Sequence, residues 1–131
     1  MARRSLDQLG RLQAAVMEIV WDLQQATVQQ VLDRLAARKK LAYTTVLSAM
    51  QKLERLGWLK HRAEGRTYIY LPTRTRDAEG RRSLSNLLGS VFDDNPLAMM
   101  QHLLEDERIG ADELAELRRM VDRRRRELNQ E

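Results

Sequence analysis

Cysteine is absent from this 131-residue chain, so it can hold no disulfide, no thiolate metal ligand and no thiol redox sensor. Proline is nearly absent, at two residues, which leaves long stretches free to run as helix. Only two histidines are present, His61 and His102, too far apart to give metal-ligand spacing, so neither a metal nor a cofactor is expected. No unbroken apolar run approaches the roughly 18 residues that a membrane span needs. The opening MARRSLDQLG carries two arginines with no apolar segment behind them and does not read as a secretory signal. Residence in the cytoplasm without direct membrane binding is the expectation. Enzyme chemistry also lacks a foothold: there is no GxSxG elbow, no phosphate-cradling glycine loop and no cluster of carboxylates with histidines, so no catalytic residue is assigned.

What is present, with 43% hydrophobic and 32% charged residues, reads as an ordered and largely helical chain of one domain, or one small domain with an appendage. Residues 41–71 are the most informative. In LAYTTVLSAMQKLERLGWL, Val46, Met50, Leu53 and Leu56 recur at the spacing of one buried helix face, leaving Tyr43, Thr44, Thr45, Ser48, Gln51 and Lys52 for another surface. Gly57 is the stop, since it accepts positive φ just past the last turn. The Glu64-Gly65 turn between KHRA and RTYIY then predicts a hairpin with Arg62 and Arg66 at its tip. Tyr68 and Tyr70 alternate with Thr67, Ile69 and Leu71, so at least one tyrosine is expected in the core, as are Trp21 and Trp58.

Upstream, a core helix is predicted from about Asp7 to Leu23, with Leu9, Leu12, Val16, Ile19, Val20 and Leu23 on its apolar stripe. Thr27 and Gln30 form a capping-box pattern that starts a second helix at Val28, whose end carries Arg38, Lys39 and Lys40. Those cations suit the helix dipole, phosphate contact, or both. The second and third helices then make a helix-turn-helix, and the hairpin after it a wing.

Charge is unevenly distributed. Residues 1–76 hold 14 Lys/Arg against 6 Asp/Glu, a balance of +8, and residues 77–131 hold 9 against 13, a balance of −4. The basic half suits phosphate contact and the acidic half suits protein contact. Past Pro72 the composition shifts, which places a domain boundary between residues 1–75 and 76–131. Three helices are expected there. The first carries Leu84, Leu87, Leu88, Val91 and Phe92; the second, capped by Asn95 with Pro96 in its first turn, carries Met99, Met100, Leu103 and Leu104; the third carries Leu114, Leu117, Val121 and Leu128. Stripes this narrow make a poor core alone, so the segment is read as a dimerisation element. The Arg123–Arg126 run is read as complementing a helix C-terminus and pairing with Glu116, Asp122 and Glu127.

With these segments in order, LGRLQAAVMEIVW, TVQQVLDRL, LAYTTVLSAMQKLERLGWL, EGRTYIYLP and GADELAELRRMV, the chain resembles the penicillinase-repressor family of winged-helix transcription regulators, the BlaI/MecI type. The resemblance implies a mainly α fold with a small β-hairpin wing, and a homodimer that represses transcription from palindromic operators with TACA- and TGTA-like half-sites. It implies targets among β-lactamase, cell-wall-stress or related genes, and inactivation by a membrane sensor or protease. The family's copper-responsive branch carries a C-terminal cysteine motif, which is missing here. Its antibiotic-responsive branch is cleaved at an Asn-Phe bond; the corresponding stretch here, MMQHLLED, offers His102-Leu103 instead.

A helix lying in the major groove meets base edges with its N-terminal residues, which makes Ala42, Tyr43, Thr44, Thr45 and Ser48 the base-facing candidates. Arg38, Lys39, Lys40, Lys52, Arg62 and Arg66 are the candidates for phosphate or wing contact. The alternative is a winged helix that binds protein without reading DNA, which a neutral or acidic reader helix and wing would have favoured.

Overall fold

Capping chemistry decides where the first helices begin. In the computed structural model, which describes residues 5–130, the Gln30 amide donates to Thr27 Oγ1 at 3.1 Å and the Thr27 amide to Gln30 Oε1 at 2.9 Å. This reciprocal pair opens α2 (Val28–Ala36) where the sequence places it. The helix before it starts later than expected. Instead of a helix from Asp7, a 3-10 turn (Leu6–Gln8) leads into extended Leu9 and Gly10, and α1 runs Arg11–Leu23. The Gly10 amide donates to Gln13 Oε1 at 3.2 Å, closing that start, while Leu9 reaches the core from extended backbone. Arg3 and Arg4 of the opening segment lie outside the described residues.

The third helix, α3 (Tyr43–Arg55), ends as anticipated at Gly57, where φ is +86°. Strand β1 (Leu59–Glu64) and strand β2 (Thr67–Pro72) pair antiparallel, with Arg62 opposite Ile69 and Glu64 opposite Thr67. Gly65, at φ +62°, turns the chain between them. Ala26 and Tyr70 exchange both backbone hydrogen bonds, 2.8 and 2.9 Å, so the α1–α2 connection is stitched to the inner half of the hairpin.

Around these elements Val16, Met17 and Val20 of α1, Val31 of α2, Val46, Met50 and Leu53 of α3, and Trp58, Leu59 and Tyr70 are buried in one core. Each such side chain contributes roughly 1.5–3 kcal/mol by leaving water. Tyr70 is the core tyrosine and Tyr68 stays exposed; Trp58 is buried, and Trp21 is partly so.

The chain forms two compact units that divide after Ser85, not after Thr75. Helix α4 (Arg76–Val91) starts where expected, but its first turns belong to the first unit. There the Asp7 amide donates to Ser83 Oγ at 3.2 Å and Arg76 Nε to Glu18 Oε2 at 2.7 Å. The second unit holds the end of α4, helix α5 (Pro96–Leu104) and helix α6 (Ala111–Asn129). Asn95 Oδ1 accepts the amides of Leu97 and Ala98 at 3.1 and 3.2 Å, the cap anticipated before Pro96. Within the Arg123–Arg126 run Arg124 pairs with Glu127 at 3.2 Å, whereas Glu116 is taken by Arg119 at 2.6 Å. Among the described residues, no helix is long and apolar enough to cross a membrane.

Candidate nucleic-acid interface

The buried and exposed faces of α3 separate cleanly. Val46, Ala49, Met50 and Leu53 are buried, while Thr44, Thr45, Ser48, Gln51 and Lys52 are exposed. At 100° per residue those five exposed positions fall within one arc facing away from the core. Tyr43 is exposed but lies outside that arc, on the side of Met50, and Ala42 is the N-cap, with no side-chain capping bond. The first turn of α3 therefore presents two threonine hydroxyls outward together, a polar surface without a fixed charge. Such a surface suits base edges and thymine methyls.

Cations flank it. Arg38, Lys39 and Lys40 are exposed in the connection between α2 and α3, just past Ala36 and not inside the helix end, and the Arg38 and Lys39 amides donate to the Leu35 carbonyl at 2.9 Å. In the wing, Arg66 sits in the turn and is exposed. Arg62 is not at the tip. It lies inside β1, opposite Ile69, and its Nη1 donates to Gln25 Oε1 at 3.1 Å in the connection after α1. Ala63 and Glu64 stand between Arg62 and the Gly65-Arg66 turn.

Sequence reasoning missed the contact that ties the wing to the reader helix. His61 Nδ1 on β1 lies 2.6 and 2.9 Å from the two carboxylate oxygens of Glu54 in the last turn of α3. The His61 ring also stacks on Tyr68, with centroids 4.3 Å apart. A seven-residue separation across a helix stop and a strand start has no periodic signature. The only signal was a carboxylate at a helix end and a histidine on the inner register of the next strand. Lys60 was also passed over; it shares the outer register of β1 with Arg62. Behind this surface, burial pushes the Tyr70 phenol above its ordinary value, and the Glu54 carboxylate adds in the same direction.

An exposed polar helix face, basic residues at its start and a basic wing are the features that contact with a duplex backbone and a major groove requires. Residues 9–123 match the penicillinase repressor family. The chain belongs to that family. A transcriptional regulator BlaI of Mycobacterium tuberculosis is 35% identical over 118 residues, covering 88% of this chain and 84% of the relative. The penicillinase repressor of Bacillus licheniformis is 19% identical over 119 residues, covering 91% and 93%. Among solved structures, the DNA-binding domain of the repressor BlaI aligns with 56% of this chain and 89% of its own, at 22% identity and a TM-score of 0.49. The Bacillus licheniformis BlaI monomeric form in complex with the blaP half-operator aligns over 53% and 85%, at 23% identity and a TM-score of 0.46. As a member of the penicillinase-repressor family the protein is a transcription regulator and not an enzyme.

The residues expected to form a dimer contact lie mostly at the surface of the second unit. Leu84, just before that unit, and Leu87, Val91, Met100, Leu103, Leu104, Leu114 and Val121 are exposed, with Val91 at 64%. Leu88, Phe92 and Leu117 are half-buried, and the Phe92 ring stands 5.4 Å from that of His102. Met99 departs from the expectation: it is buried, at 6% exposure. No group of three or more metal-ligating side chains occurs among the described residues.

Proposed function

We propose that this family member is a homodimeric repressor that lays the N-terminal half of α3 in the major groove of a palindromic operator with TACA/TGTA-like half-sites, in front of β-lactamase, cell-wall-stress or related genes. The observation that carries this reading is the exposed, uncharged polar arc of Thr44, Thr45 and Ser48 beside the exposed Arg38–Lys40 run. Ala42 and the threonine methyls pack on thymine methyls, and the hydroxyls bond to base edges or phosphate. Lys52, Arg62 and Arg66 meet phosphate, or the minor groove in the case of the wing. Exposed apolar side chains on α4, α5 and α6 supply the surface that a second copy covers. Two copies then read the two half-sites together. A membrane sensor or protease is the inactivating partner that the family suggests, while the stretch that would hold the family's Asn-Phe bond carries His102 and Leu103 instead.

Single substitutions compared on several duplexes test the reader. Arg66→Ala weakens binding to every duplex to about the same degree and lowers the salt slope by about one, whereas Thr45→Ala changes the ranking of operator variants at a cost of about 1–3 kcal/mol on the preferred one. Unchanged affinities in both variants would contradict the assignment.

A further inference from the structure

The stretch from Thr73 to Asp77 reads in sequence as a polar, arginine-bearing connection, and the structure anchors its start and carries its end into α4. The Thr73 amide donates to the Trp58 carbonyl at 3.0 Å, and the Thr73 hydroxyl to the Gly57 carbonyl. The Arg74 carbonyl accepts Trp21 Nε1 at 2.8 Å. The Arg74 guanidinium lies over the Trp58 ring, 4.3 Å from its centroid, and its Nη1 stands 3.5 Å from Glu79 Oε1 in the first turns of α4. Both side chains are almost fully withdrawn from water, at 6% and 5% exposure.

A buried ion pair is a poor device for stability alone. Desolvation offsets most of its attraction, and apolar residues of similar volume often replace such a pair without loss. Glu79 Oε2 is moreover buried with no hydrogen-bond partner, so this carboxylate is not placed for the best solvation inside the protein. What the pair provides is one geometry. A guanidinium held over an indole and beside a carboxylate restricts the rotation of the helix that carries that carboxylate, whereas an apolar contact tolerates sliding. The helix is α4, which continues to Val91 in the second unit.

We propose that Arg74 and Glu79 are positioning residues for operator reading: their buried pair fixes the root of α4 on the winged-helix unit and so sets the half-site spacing that two joined readers accept. This rests on the homodimeric reading above. Neither residue touches DNA in this account; both act through α4.

The test uses the full-length Glu79→Gln protein and two readouts. Amide hydrogen exchange requires no DNA and is expected to speed up most in residues 76–85, by about tenfold or more beyond whatever change α3, β1 and β2 share. On a series of palindromes whose half-sites are moved apart one base pair at a time, the ratio between best and worst spacing is expected to fall by about fivefold or more, with affinity for an isolated half-site changed by less than about twofold. Unchanged exchange at the root of α4 overturns the clamp. Faster exchange with the spacing preference intact overturns the positioning role, and equal losses on half-site and palindrome reduce the pair to general support of the reader. If the parent protein shows no preference for any palindrome, the operator reading fails, and the exchange experiment still decides the clamp. Should Glu79→Gln not fold, the apolar double variant Arg74→Met/Glu79→Leu takes its place: folded with spacing preference lost supports the proposal, and folded with preference kept overturns it.

Discussion

Tyr70 shows how one residue serves both fold and site. Its ring is buried in the core, its backbone pairs with Ala26, and it stands in register with His61, which holds the wing to Glu54. Because burial raises the phenol above its ordinary value of 10.0, the folded state resists ionisation that the unfolded chain allows. The resulting stability is fully present below about pH 10 and is lost as the pH rises from there through the raised value in the folded state. Urea midpoints measured between neutral pH and pH 11 are expected to fall in that window, and the fall should be shallower in Tyr70→Phe; parallel curves for the two proteins would contradict the assignment. That one of the two wing tyrosines would be internal was legible from their alternation with Thr67, Ile69 and Leu71. The Glu54–His61 contact was not, because it joins two elements whose mutual angle only the packed core determines.

At the scale of elements, local chemistry was the most legible part. The Thr27–Gln30 box, the Gly57 stop, the turn at Gly65 and the Asn95–Pro96 start all lie where short-range rules place them. Thr27→Ala is expected to cost about 1 kcal/mol, read as a lower urea midpoint with unchanged slope. The turn after α4 is different. Asp93 and Asp94 both adopt left-handed backbone, at φ +52° and +57°, where a Cβ is unfavourable. Asp93→Gly is therefore expected to stabilise the protein by about 1 kcal/mol, and a loss of stability would show that the Asp93 side chain does more than occupy the turn. The start of α1 was misread because Leu9 keeps helical spacing with Leu12 while its backbone is extended. Periodicity reports which residues are buried and not which backbone carries them there.

Across the whole molecule, the composition shift after Pro72 pointed to two units, yet the division falls later because a polar segment became internal. Arg74 and Glu79 look like surface charges until the fold brings Trp21 and Trp58 beside Arg74, and Arg74 beside Glu79. Ending the chain after Ser85 keeps that pair, and ending it after Thr75 removes Glu79. The longer piece is expected to be a folded monomer. The shorter one should be destabilised by about 3–5 kcal/mol, since one partner of a buried pair is left behind. Equal melting of the two pieces would show that the first turns of α4 do not support the winged-helix unit. The full chain, with its exposed apolar side chains on α4, α5 and α6, is expected to sediment at twice the chain mass at micromolar concentration.

The central claim is sequence-specific reading of an operator by α3. The most direct measurement is fluorescence anisotropy at near-physiological salt, comparing a TACA/TGTA palindrome with a scrambled duplex of the same composition. Electrostatics alone binds both equally, so the account predicts a preference for the palindrome of about 10³ or more. Equal and weak binding to the two would contradict it.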